Sequence, residues 1–212
     1  INGAVQPGRF LNAKDLGSKE DGADFQTVLI DETTNEIVVP NGTMGDRHTN
    51  PQKWNLRLEN RNTGAKIDPR LSVFDQRQDV TVVKLPYFGD EEHEGVIERA
   101  IPTITVQTVD GPVKVTTVYD LILANYGIDR GIGGEVATSY TDDTPYTPTW
   151  QEKITGVKAD IAIATAREFA DNAEKTKGRS MIIMGGGINH WYHADIIYRT
   201  ILNLIMFCGT EG

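Results

Sequence analysis

The stretch Gly178-Arg179-Ser180-Met181-Ile182-Ile183-Met184-Gly185-Gly186-Gly187-Ile188-Asn189-His190-Trp191-Tyr192-His193 decides the reading of this chain. Residues 180–184 form an apolar run without alternation, the pattern of a strand covered on both faces. Three glycines end it. From 189 to 208, Ile197, Ile201, Leu204, Ile205 and Cys208 recur at helical spacing opposite a polar stripe of Asp195, Arg199 and Asn203. Upstream, residues 158–175 repeat Ala162, Ala166, Phe169 and Ala173 on one stripe, with side chains small enough to let a helix lie close to a sheet. Helix, buried strand, glycine turn, helix is the order of an α/β layer.

Working back, Thr147-Pro148 opens a further helix, because threonine caps free amides and proline at the first helical position loses no hydrogen bond; that helix stops near Gly156. Residues 119–126 read as a short helix ended by Gly127, followed by a flexible loop at Gly131, Gly133 and Gly134. Before 117 the pattern is β: runs at 25–31, 36–40, 54–59 and 80–85, separated by turn formers. Two alternating runs at 104–107 and 113–116 flank Val109-Asp110-Gly111, and Asp-Gly marks a tight hairpin. Asn41-Gly42-Thr43 fits a glycosylation sequon and reads better as a turn. The expected fold is mixed α/β: a β-hairpin-rich portion at 1–117, then an α/β portion at 118–212.

With 39% hydrophobic and 24% charged residues among 212, the chain can build a core. A formal charge of -9 disfavours nucleic acid and anionic membrane surfaces. Cys208 is the single cysteine, so no internal disulfide, four-cysteine cluster or cysteine-rich zinc site can form. The most apolar stretch, 196–208, is interrupted by Arg199 and Asn203 and falls short of the ~20 apolar residues that a span needs. The sequence opens on Ile1 with no initiator Met or signal segment and closes just past a helix pattern, from which a cut from a longer chain is expected.

A strand that ends in glycines and turns into a helix brings free amides and a helix dipole to one sheet edge, where anions bind. The run from Gly185 to His190 is neither Gly-x-Gly-x-x-Gly nor a P-loop, so nicotinamide and nucleoside triphosphate readings are weak. Spacing alone fits phosphate binding and close packing of strand on helix equally. Asn189 fits a helix N-cap as well as a ligand contact. His190 in the first turn can donate to a ligand, whereas His193 reads as an interface or core residue. The two lie three apart on the expected helix, too few for a metal without a carboxylate or cysteine. Trp150, Trp191 and Tyr192 read as packing residues, and Asp142-Asp143 and Asp90-Glu91-Glu92 as solvated charge. No Ser-His-Asp or Cys-His arrangement can be assembled.

Gly178-Arg179-Ser180-Met181-Ile182-Ile183 and Asn189-His190-Trp191-Tyr192-His193 resemble the large subunit of respiratory nitrate reductases, in the molybdopterin oxidoreductase superfamily. So do Thr117-Val118-Tyr119-Asp120-Leu121, Leu123-Ala124-Asn125-Tyr126-Gly127, Tyr146-Thr147-Pro148 with Ile154-Thr155-Gly156-Val157, and the segment from Ala166 to Ala173. Lys53-Trp54-Asn55-Leu56 and Pro86-Tyr87-Phe88-Gly89 extend the likeness more loosely. The resemblance implies an internal fragment of a much longer enzyme that reduces nitrate to nitrite. Its cofactors would be bis-molybdopterin guanine dinucleotide with molybdenum and a 4Fe-4S cluster. Its partners would be an electron-transfer beta subunit and a membrane gamma subunit, at the cytoplasmic face of the cell membrane. The 118–212 portion would then be helix-strand-helix elements of a Rossmann-like molybdopterin cofactor domain. Gly185, Gly187, Asn189 and His190 would lie against the pterin, and the molybdenum and cluster ligands are expected outside this sequence. The fragment alone is expected to bind no cofactor and to be inactive. Two alternatives stay open: a non-catalytic module that docks a partner subunit, and a sister oxidoreductase acting on nitrite, chlorate or selenate.

Overall fold

The computed structural model describes residues 7–43, 57–87 and 95–210. The chain divides into two compact units, Ile1–Thr138 and Ser139–Gly212. In the first, Leu29–Ile30 (β1) pairs antiparallel with Ile37–Val38 (β2), and Pro40–Asn41 (β3) with Arg57–Asn60 (β4). The main sheet consists of Asp79–Pro86 (β5), Val96–Thr108 (β6) and Gly111–Val115 (β7), antiparallel in the order β5-β6-β7. Val83, Leu85 and Tyr87 alternate inward from β5 and its end, and β6 is buried on both faces through its middle, from Arg99 to Thr103. These side chains, with Ile67, Val73 and Ala124, form the core of this unit.

The hairpin stands where Asp-Gly placed it: Thr108 pairs with Gly111 across Val109-Asp110, and Gly111 takes φ 114°. Thr108 reinforces the turn, its hydroxyl donating to the Gly111 carbonyl at 2.7 Å. The strand expected at 25–31 shrinks to β1, because left-handed Gly22 opens a 3-10 turn over Ala23–Phe25. Residues 36–40 split into β2 and β3. Of the run at 54–59, residues 54–56 lie outside the described residues, as do Lys53-Trp54-Asn55-Leu56, Asp90-Glu91-Glu92 and Phe88-Gly89. Gly42 adopts φ 79°, as a turn at Asn41-Gly42 requires.

The first helix, α1 (Val118–Asn125), begins at Thr117, whose hydroxyl accepts from the Asp120 amide at 3.1 Å, and ends before Gly127 at φ 72°. It belongs to the first compact unit, which runs to Thr138. The glycine loop that follows is less free than its composition suggests. Gly134 bridges to Arg99 on β6, and a Cβ there would lie 2.7 Å from the Ala100 amide nitrogen.

In the second unit, Thr147 caps α2 (Pro148–Thr155) by accepting from the Trp150 amide at 3.1 Å, and Gly156 closes it at φ 74°. The next helix, α3 (Ala159–Thr176), follows Lys158, which makes no side-chain cap bond. Glu152 of α2 supplies one instead: its carboxylate accepts from the Ala159 amide at 2.9 Å and from the Lys158 ammonium at 2.6 Å. The expected alanine stripe is open. Only Ala173 is buried, Ala162 and Phe169 are half-buried, and Ala166 is exposed. At the end of α3, Gly178 adopts φ 86°, with the Gly209 carbonyl oxygen 2.1 Å from where a Cβ would stand.

Two expectations fail after Gly178. Residues 180–184 are in no strand and no bridge, and Met181 and Ile183 are 78% and 85% exposed. Apolar composition marks a stretch that suits a sheet but cannot supply the neighbouring strands, and no described residue of this chain pairs with it. The single helix expected from 189 is also broken. Gly186–Asn189 (α4) makes one turn, and Ala194–Phe207 (α5) starts anew after His193 at φ 60°. Between them Trp191 donates to the Ile188 carbonyl and Ala194 to that of Trp191, tight turns in place of a helical ladder. A left-handed histidine leaves no mark in a periodicity count.

Candidate functional site

Gly185, Gly187, Asn189 and His190 do lie within one short segment, but not at the start of a long helix. Gly185 is extended and precedes α4, Asn189 is its last residue, and His190 follows as its C-cap. A single turn has almost no macrodipole, since that field is the sum of many aligned peptide units. The segment therefore offers no helix-start field to an anion. Asn189 is not an N-cap either: its Oδ1 accepts from the Tyr198 hydroxyl on α5. That contact ties the segment to the following helix, and the Asn189 residue is otherwise exposed.

The glycines have a second property that sequence could not supply. A Cβ placed on Gly185, Gly186 or Gly187 would find nothing within 4 Å, and none of the three needs a positive φ. Among the described residues, then, neither close packing nor backbone strain calls for glycine there. The surroundings are equally open. Asn189 and His190 are exposed, and Trp191 and Tyr192, expected in packing roles, are 71% and 86% exposed. His193 is exposed too, its ring tilted against Tyr192 with centroids 4.0 Å apart. The left-handed break means that His190 and His193 do not share a helix face. Among the described residues no group of three or more His, Cys, Asp or Glu could hold a metal ion.

Asp142 and Asp143 are engaged locally, Asp142 accepting from the Ser139 amide at 3.0 Å and Asp143 pairing with Lys153. Trp150 does pack, edge-on to Tyr146 with centroids 5.1 Å apart.

The strongest polar constellation was missed by sequence reading. Asp120 on α1 is fully buried and accepts from Ser72 Oγ at 2.6 Å, the Val73 amide at 2.9 Å, Thr117 Oγ1 at 2.8 Å and Arg130 Nη1 at 2.6 Å. Arg130 also donates to Ser72 Oγ at 2.9 Å and covers the Phe74 ring, on which Arg77 stacks as well. Arg99, also fully buried, donates through Nε to the Glu135 carbonyl at 2.7 Å and through Nη1 to the Ala124 and Asn125 carbonyls at 3.0 and 2.6 Å. The Arg99 network binds the end of α1 and the loop at Glu135 to β6, and the Asp120 network binds α1 and Arg130 to the 72–74 segment. With these donors aimed at partners inside the chain, their chemistry is structural. The one signal in the sequence was an acid three residues after a Thr that can cap it.

Asp15, Asp31, Asp79 and Glu152 titrate low. The Arg9 guanidinium, hydrogen-bonded to Asp15, outweighs burial and holds that carboxyl below its ordinary value. At Asp31 burial pushes upward, but the Asp68 and Thr33 amides and the Thr34 hydroxyl prevail and lower it. Lys114 lowers Asp79, and Lys158 with the Ala159 amide lowers Glu152.

No protein-family model matches the chain. Over 211 residues, its whole length, it is 46% identical to the nitrate reductase alpha chain of Bacillus subtilis (strain 168), and it spans 17% of that protein. It is 44% identical, again end to end, to the respiratory nitrate reductase 1 alpha chain of Escherichia coli (strain K12), spanning 18% of it. A shorter match, 44% over 66 residues and 31% of the chain, is to the perchlorate reductase subunit alpha of Dechloromonas aromatica (strain RCB). These likenesses are to large reductase chains, and the described fold is mixed α/β, as the pattern of apolar spacing and turn residues implied. Along its whole length the chain is thus similar to nitrate reductase alpha chains, of which it spans under a fifth.

Proposed function

We propose that this chain serves as part of the catalytic alpha chain of a molybdenum-dependent respiratory nitrate reductase, and that its 185–190 segment lies against the pterin cofactor. The observation that carries the reading is the open space over Gly185, Gly186 and Gly187 in a chain whose relatives are nitrate reductase alpha chains. Three consecutive glycines that nothing in their own unit requires are accounted for by a body that approaches the backbone from outside that unit. The residues fit bis-molybdopterin guanine dinucleotide in kind: bare backbone for close approach, and the exposed Asn189 and His190 for its polar edges. Bound there, the molybdenum cofactor supplies the redox chemistry that takes an oxygen atom from nitrate. Gly185 and Gly187 give the cofactor room, and Asn189 and His190 fix its orientation by hydrogen bonds.

On this reading the chain holds no catalytic residue. The 4Fe-4S cluster, the molybdenum ligand, the beta and gamma subunits and attachment at the cytoplasmic face of the membrane belong to the complete complex. Among the described residues no helix is long and apolar enough to cross a membrane. A second reading, a sister enzyme reducing another oxyanion such as chlorate, draws on the local match to perchlorate reductase subunit alpha.

The test is to place Gly187→Ala and His190→Ala in the full alpha chain and measure molybdenum content, pterin content and nitrite production. A hydrogen bond to a charged group is worth about 1.5–3 kcal/mol, so His190→Ala should lower cofactor retention by roughly tenfold or more. Wild-type retention and activity in both variants would refute the cofactor contact.

A further inference from the structure

We draw no further inference here: the strongest candidate, the unpartnered apolar face formed by residues 180–184, the exposed Trp191-Tyr192 turn and α5, carries none, because nothing in the structure shows what covers it and its burial within a longer chain is already implied by the length of the alpha-chain relatives.

Discussion

Asp120→Ala should loosen the β-rich unit more than any surface change, and the size of the effect follows from its partners. The substitution removes the acceptor for four donors at 2.6–2.9 Å, two of them to each carboxylate oxygen. The Arg130 side chain, only 16% exposed, is left without its ion partner, and the Val73 amide is stranded in a fully buried position. Removing one member of a buried pair costs about 3–5 kcal/mol, and one stranded buried amide about 1–3 kcal/mol. The two are not independent, so a loss of about 4 kcal/mol is expected. At about 1.4 kcal/mol per tenfold, this is roughly a thousandfold loss of protection from hydrogen exchange at the Val73 amide. Asp120→Asn keeps the shape and one acceptor, and should lose only part of that protection. Exchange at Val73 within about threefold of wild type in Asp120→Ala would show that the buried carboxylate does not organise this region. Equal losses in both variants would assign the effect to the charge opposite Arg130 and not to the hydrogen-bond geometry.

Gly178→Ala should destabilise the second unit by well over the ~1–2 kcal/mol that a left-handed residue costs, since its Cβ would also meet the Gly209 carbonyl; Gly156→Ala, with open space, should cost only the former, as urea titrations would read. In the chain alone, Gly187→Ala should be neutral or stabilising by up to ~1 kcal/mol, because alanine is the better helix former and meets nothing; marked unfolding would revive the packing role of that glycine. The lowered values of Asp15, Asp31, Asp79 and Glu152 give stability that is present above the ordinary carboxylate pKa of about 4 and is lost as pH falls through the lower folded values. Denaturation midpoints should therefore drop as pH falls below about 4, with a shallower drop in Arg9→Ala. Purified alone, the chain should carry no stoichiometric molybdenum or iron and should not turn over nitrate with a viologen donor; metal analysis and a nitrite assay check both.

Features written in neighbouring residues were legible in the sequence. Asp110-Gly111 sets its hairpin, Thr147-Pro148 starts α2, and Gly127 and Gly156 end their helices, because each acts within a few residues. The segment 180–184 was misread for the opposite reason: a sheet strand is defined by its neighbours, and no described part of this chain provides them. The break at His193 escaped because a left-handed non-glycine residue does not interrupt hydrophobic spacing. Asp120, Arg99 and Arg130 went unseen because their partners lie up to 58 positions away, and no local pattern announces such a meeting. At the proposed site, the run of glycines was legible but its setting was not. Whether a glycine is crowded or open is a property of the folded surroundings.

Arg99 has an implication for which sequences this fold can accept. One planar cation holds the last carbonyls of a helix and a carbonyl of a distant loop, working as a keystone across two pieces of chain. Lysine carries the same charge but on a single tetrahedral nitrogen, which cannot fan out to the Glu135 side and the α1 end together. Position 99 should therefore be closed to the exchange of one basic residue for the other, although a surface arginine such as Arg57 should tolerate it freely.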